Sequence, residues 1–363
     1  MGCRLLYLVG RLHTGGLERQ LYYLLQSMDR RRYEPAVAVW NYAEDDFHIP
    51  PIRALGVPIY SLDGHSSAIH KMSAFRRLTR QLQPQLVHSY SFYTNIAAAW
   101  ATRGTHAIAI GSVRNDFIWE KQAAGPWLGR LSARWPRAQI FNSSSAAESG
   151  RSSRSLFVPK QIHVVRNGLD LVRFPLSPVP TDGPIRILGV GYLLPAKRWD
   201  KLLTAIRHLK EKGLTCDVRI AGDGPLRTAL QQQAQELGVA DRVTFLGHVD
   251  DVPSLLRDAT LVAHTADNEG CPNAVMEAMA CGRAVVATNA GDIPFLIDEG
   301  ATGFVVQLDD GPALVDRLAT LITDRALCQR MGEAARARAE QEFGLGRFVE
   351  KTLNAYRAAG WQG

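Results

Sequence analysis

Short apolar runs alternate along the chain with longer stretches whose apolar residues recur at helical spacing. The runs at 5–9, 36–40, 86–87 with its neighbours, 107–110 and 139–141 read as strands of a first half. Those at 185–190, 217–221, 243–246, 261–264 and 284–287 read as strands of a second. Strands that alternate with amphipathic segments are the pattern of a parallel sheet built by helical crossovers. Between the halves, residues 174–184 hold four prolines and one glycine, a composition that suits a linker and not a helix or central strand. The second half opens as the first does, with a strand, a glycine-containing turn and a helix. The expected architecture is α/β, two Rossmann-like doubly wound domains facing a cleft. The first domain is expected over 1–170, a linker over 171–184 and the second domain over 185–344.

The densest candidate chemistry lies in Asn268-Glu269-Gly270-Cys271-Pro272-Asn273-Ala274-Val275-Met276-Glu277-Ala278-Met279-Ala280-Cys281-Gly282. Proline tolerates a first helical turn, Met, Ala and Val propagate a helix, and Gly282 stops it, so a helix is predicted over 272–281. Glu269 then precedes the helix and Glu277 lies inside it. The free N–H groups of the first turn and the positive end of the helix dipole suit a phosphate. A carboxylate on either side suits two hydroxyl-bearing groups, so a phosphate flanked by polyols is the ligand this layout fits.

This run resembles the E-x7-E region of the retaining nucleotide-sugar glycosyltransferases of family 4, which have the GT-B fold. Four further segments are similar to motifs of that family, in its order: Gly10-Arg11-Leu12-His13-Thr14-Gly15-Gly16-Leu17-Glu18, Val165-Arg166-Asn167-Gly168-Leu169-Asp170, Val190-Gly191-Tyr192-Leu193-Leu194-Pro195-Ala196-Lys197 and Ile220-Ala221-Gly222-Asp223-Gly224-Pro225. The resemblance implies that the second domain binds a UDP- or GDP-linked sugar and the first an acceptor. It implies that Glu277 holds ribose hydroxyls, Glu269 sugar hydroxyls and Lys197 the diphosphate. N–H groups from Asn273 through Ala274 and Val275, beside Gly270, Cys271 and Pro272, would meet the distal phosphate. Gly222 and Gly224 would line the donor, and Gly15 and Gly16 would approach a phosphate or the acceptor from the opposite side. The amphipathic C-terminal segment 345–363 is expected to cross back to the first domain, through residues 348–356.

The chain departs from the family's pattern at two points. Tyr192 stands where many members carry arginine, and Arg198 or a helix dipole is the expected substitute. Many members show His-x-His where this chain has His88-Ser89-Tyr90, so His88 is either the family's cleft histidine, counted with Glu269 and Lys197 as catalytic, or a structural neighbour. The implied activity is retaining transfer of a hexose or N-acetylhexosamine to a hydroxyl of a glycan or lipid-linked acceptor, in cell-surface polysaccharide or glycolipid synthesis. A sugar-nucleotide 2-epimerase of the same fold and a catalytically silent sugar-nucleotide binder stay open.

Composition narrows the setting. The length, 363 residues, fits two domains. No apolar run reaches the ~18 residues that span a bilayer, and the N-terminal stretch reads as a strand and not a signal peptide. The five cysteines are scattered without metal or disulfide spacing, which suits a reducing cytoplasm. Neither an Asp-x-Asp pair nor a zinc ligand set is present, so metal-independent catalysis without a cofactor is expected. Residues 1–170 carry 21 basic and 11 acidic side chains, whereas 171–363 carry 21 and 24. The basic excess of the first half, with Trp119, Trp127 and Trp135 among arginines, suits an anionic acceptor or the inner face of a membrane. No recognition helix, zinc finger or RNA-binding signature accompanies it, so nucleic acid is not expected.

Overall fold

The computed structural model describes residues 2–64 and 67–363, and the chain folds as two compact units. The first comprises the chain up to Gly168 together with Leu345–Gly363, and the second is Leu169–Gly344. In the first unit, β1 (Cys3–Val9), β2 (Tyr33–Val39), β3 (Ile59–Ser61), β4 (Leu86–Ser89), β5 (Ile108–Val113), β6 (Ala138–Phe141) and β7 (Ile162–Val164) form a seven-stranded parallel sheet in the order β3-β2-β1-β4-β5-β6-β7. In the second, β8 (Arg186–Val190), β9 (Asp217–Ala221), β10 (Val243–Gly247), β11 (Leu261–His264), β12 (Ala284–Thr288) and β13 (Gly303–Val306) form a six-stranded parallel sheet ordered β10-β9-β8-β11-β12-β13. This is the GT-B architecture of two doubly wound α/β domains. The strand order turns back at β1/β4 and at β8/β11, and such switch points open a crevice at the carboxyl ends of the strands.

Burial explains why the strands read as unbroken apolar runs. On β1, Leu5, Tyr7 and Val9 belong to one core cluster and Leu6 and Leu8 to another, on the opposite face. On β12, Ala284 and Val286 face one cluster while Val285 and Ala287 face another. A sheet covered by helices on both sides has no polar face to alternate with. Three strands, β3, β7 and β13, lie outside the runs expected from sequence. Two of them are three-residue edge strands with only half-buried or exposed side chains, and they lack a continuous apolar signal.

The proline-rich stretch is not a free spacer. Phe174 and Val179 are buried in the second unit. Buried Arg283 donates to Leu256 O, Ser177 O and Pro178 O. Arg336 donates to Phe174 O and Arg325 to Pro180 O. Carbonyls that proline-rich backbone cannot place in a ladder are thus satisfied by guanidinium groups.

The helix Leu345–Ala358 belongs to the first unit, where Phe348, Leu353 and Tyr356 join Leu21, Leu24 and Leu25 of the helix Gly16–Ser27 in one core cluster. A Cβ on Gly168 would come within 2.7 Å of the Phe348 ring, so only glycine lets the chain pass that close. Gln20 closes the junction by donating to Gly168 O at 2.9 Å and accepting from Gly168 N at 2.7 Å. Among the described residues, no helix is long and apolar enough to cross a membrane.

Candidate functional site

In the second unit, two loops leave the adjacent strands β8 and β11 at the switch point and are fastened to each other. Asp267 N donates to Ala196 O at 2.9 Å, and Thr265 Oγ1 donates to Lys197 O at 3.1 Å. These bonds bring Lys197, in the short 3-10 turn Pro195–Lys197, against Glu269, 72 positions later. Lys197 Nζ donates to Glu269 Oε1, and His264 Nε2 lies 3.1 Å from the same oxygen. Burial alone would raise the Glu269 carboxyl, but the His264 hydrogen bond and the Lys197 ammonium outweigh it and hold the group at about 2. Glu269 is therefore an ionised, nearly buried carboxylate, an acceptor for hydroxyl or ammonium donors and not a proton donor near neutral pH.

The backbone around Glu269 is fixed from behind. Gly270 O accepts from Asp292 N at 2.9 Å, and Gly291, at φ +56°, packs so closely that a Cβ there would sit 2.3 Å from Glu269 O. The following helix, Asn273–Ala280, begins at Pro272, whose own side chain makes no capping hydrogen bond. Its N-terminal N–H groups, including those of Asn273, Ala274 and Val275, lack intrahelical acceptors by construction. Cys271, Val275 and Met276 are buried, which packs the turn onto the sheet, and Glu277 is buried one turn further in.

The other predicted donor residues divide. A Cβ on Gly222, at φ +148°, would meet Gly191 O at 2.0 Å, and one on Gly224 would meet Leu193 O at 2.7 Å. Gly191 N donates to Ala221 O and Leu193 N to Asp223 O, both at 2.9 Å. These glycines thus have a packing reason of their own: they let the loops after β8 and β9 cross backbone to backbone. Arg198, the expected substitute for the missing arginine, is engaged within the second unit. Its guanidinium is held by Asp200 and Asp267, whose hydrogen bonds raise its pKa, and its backbone sits in the left-handed region at φ +49°. Lys201 also reaches Asp267, at 2.6 Å. Tyr192 is half exposed and its carbonyl accepts from Trp199 Nε1 at 3.1 Å.

In the first unit, His88 has the surroundings of the structural alternative. It is buried, its Nδ1 lies 2.7 Å from Tyr356 Oη and its Nε2 2.9 Å from Ser112 Oγ, so both ring nitrogens are engaged. Burial, and secondarily the Arg114 charge, push its pKa well below the usual histidine value. Gly15 caps the helix Gly16–Ser27, but Glu18 folds back over that end: a Cβ on Gly15 would lie 2.0 Å from Glu18 Oε2. His13 Nδ1 stands 3.4 Å from Glu18 Oε1. The N-terminus beside Gly15 and Gly16 therefore already faces a carboxylate, which opposes a donor phosphate there.

Sequence reading missed His264 and Glu18. His264 ends an apolar strand at the carboxyl edge where α/β sheets bind ligands, and that position was the available signal. A cavity of about 710 Å³ lies between the helices Trp199–Glu211 and Gly311–Thr323 and touches only Arg198 of the predicted residues. Among the described residues, no group of three or more His, Cys, Asp or Glu could hold a metal ion.

Comparison with known proteins bears on both units. Residues 14–173 match the family model described as Glycosyltransferase Family 4, and residues 177–338 the model described as Glycosyl transferases group 1. An alpha-maltose-1-phosphate synthase of Mycolicibacterium smegmatis is 28% identical over 332 residues, covering 83% of this chain and 86% of its own. A D-inositol 3-phosphate glycosyltransferase of Nocardia farcinica is 28% identical over 361 residues, covering 87% and 79%. The solved structure of Anabaena Alr3699/HepE in complex with UDP superimposes with a TM-score of 0.81 at 20% identity, over 98% of this chain and 100% of that one.

Proposed function

We propose the following reading for a chain that belongs to glycosyltransferase family 4 and is a transferase of the GT-B fold. The protein moves a hexose or N-acetylhexosamine, with retention of configuration, from a nucleoside-diphosphate sugar to a hydroxyl of a glycan or lipid-linked acceptor. The observation that carries this reading is the Lys197–Glu269–His264 group placed directly before the N-terminus of the helix Asn273–Ala280 in the second unit. UDP is favoured as the nucleotide because structures of the same fold, those of Anabaena HepE, hold UDP or UDP-glucose.

In this reading the first-turn N–H groups of Asn273–Ala280 and the Lys197 ammonium take the diphosphate, where charge grows as the bond to the sugar C1 breaks. Lys197 starts out paired with Glu269, so donor binding divides the pair: the ammonium turns to phosphate and the carboxylate accepts from sugar hydroxyls. Glu277, one turn into the helix, receives the ribose hydroxyls. The acceptor oxygen bonds to C1, and its proton passes to the departing phosphate oxygen. Charge neutralisation assigned to these groups makes turnover independent of added metal.

Thermal unfolding with UDP, GDP, CMP or NAD, each with and without EDTA, tests the donor side. Stabilisation by UDP or GDP that survives EDTA is expected, and stabilisation by NAD alone, or by none, would sink the reading.

A peripheral membrane setting is favoured by one observation in the first unit. Ile118, Trp119, Trp127, Leu128 and Leu156 are exposed in a stretch that also carries Lys121, Arg130, Arg134, Arg151 and Arg154. Interfacial tryptophans among cations suit an anionic lipid surface. Flotation with phosphatidylglycerol vesicles at low salt is expected to carry the protein upward; protein left at the bottom counts against it.

A further inference from the structure

The first unit contains an arginine that makes no ion pair among the described residues, although the Glu120 carboxylate is near enough to feel its charge. Arg114 follows β5 at the carboxyl edge of the sheet, next to Tyr90, which follows β4. β4 borders the switch point with β1, so these residues stand where a doubly wound sheet offers its crevice. The guanidinium carbon lies 4.5 Å from the centre of the Tyr90 ring. Its Nε and Nη1 are buried without a hydrogen-bond partner, and among the described residues no carboxylate pairs with it.

The two carboxylates nearest in sequence are turned to backbone, and Asp116 accepts from Trp119 N at 2.8 Å. Glu120 accepts from the backbone N–H groups of Arg114 and Asn115, at 2.8 and 2.7 Å, and burial pushes its carboxyl up to about 7. Asn142, at the end of β6, donates through Nδ2 to Arg114 O at 2.9 Å while its buried Oδ1 receives no donor. Buried guanidinium nitrogens without partners are costly, and planar oxyanions satisfy them in pairs.

We propose that Arg114 receives an oxyanion, a phosphate or a carboxylate, carried by the acceptor, with Asn142 Oδ1 open to a hydroxyl of the same molecule. Resting on the transferase reading, this makes the acceptor an anionic sugar or polyol derivative and not a neutral glycan. Tyr90 acts as the platform that keeps the guanidinium flat and oriented.

The test uses the full chain with UDP at saturation, so that phosphate groups of the donor site are already occupied. Inorganic phosphate or malonate is titrated at matched ionic strength, following the melting temperature of the wild type, Arg114→Gln and Arg114→Lys. The expected result is a saturable upward shift in the wild type, from phosphate or from malonate according to the anion class. The apparent affinity should be at least about tenfold weaker in Arg114→Gln and intermediate in Arg114→Lys. Equal shifts in wild type and Arg114→Gln, or no shift in the wild type up to about 50 mM anion, would overturn the proposal. A second readout needs no variant: phenylglyoxal labelling of Arg114 in the wild type should be blocked by the effective anion. Labelling unaffected by it, or no labelling at all, also overturns the proposal. Protection by UDP is read in the same samples, so loss of the donor reading and loss of the Arg114 subsite give separate signatures.

Discussion

His88 and Tyr356, 268 positions apart, share a hydrogen bond of 2.7 Å between Nδ1 and the phenol oxygen, and both side chains are fully enclosed. The bond ties the strand β4 to the C-terminal helix, and the second ring nitrogen is spent on Ser112. A histidine bonded this way helps hold the first unit together.

Replacing Tyr356 with phenylalanine keeps the packing and leaves one imidazole nitrogen without a partner. A loss of about 1–2 kcal/mol is expected in urea unfolding of the first unit, with UDP affinity unchanged. Unaltered stability would show that the bond contributes nothing net.

Because burial lowers the pKa of folded His88, the unfolded chain takes up its proton first as pH falls. The sign follows: the contribution is complete above the unfolded value of about 6.5 and is lost progressively as pH drops below it. Buried His48 is shifted in the same direction by the same dominant cause. The melting temperature should therefore fall between about pH 6.5 and 5, and a His88→Asn variant that still folds should show a shallower decline.

Glu269 has the opposite linkage. Its folded value of about 2 lies below the ordinary 4.5, so its stabilising contribution is present above 4.5 and lost as pH falls toward 2. Glu269→Gln leaves Lys197 and His264 without their carboxylate, and turnover is expected to fall by about 100-fold or more while the nucleotide still binds. Activity within tenfold of wild type would remove Glu269 from the reacting centre.

Glu277→Gln tests the ribose assignment. UDP affinity measured by calorimetry is expected to weaken by about tenfold or more, the value of a lost charge-assisted hydrogen bond. Full affinity would place the ribose elsewhere.

Gly222→Ala puts a methyl group 2.0 Å from Gly191 O, backbone against backbone at a positive φ. A destabilisation of about 3 kcal/mol or more is expected in the second unit, because neither loop can yield without breaking the bonds between them. A normal melting temperature would show that the loops are not tied as described.

The sequence by itself determined the two parallel sheets, because a strand covered on both faces must be apolar throughout, as Leu5 to Val9 and Ala284 to Ala287 are. It also determined the helix after Glu269, since proline, helix formers and Gly282 mark its limits locally. Edge strands such as Ile59–Ser61 escaped because a short, half-exposed pairing depends on its neighbour and not on its own pattern.

Tertiary structure alone decided which candidates have free functional groups. Arg198 is held by Asp200 and Asp267, His88 by Tyr356 and Ser112, and the Gly15 end faces Glu18, while Arg114 keeps two guanidinium nitrogens without a hydrogen-bond partner that no motif announces. Residue type and spacing state which hydrogen bonds a side chain can make. Which of them are already made depends on contacts between positions that only folding brings together.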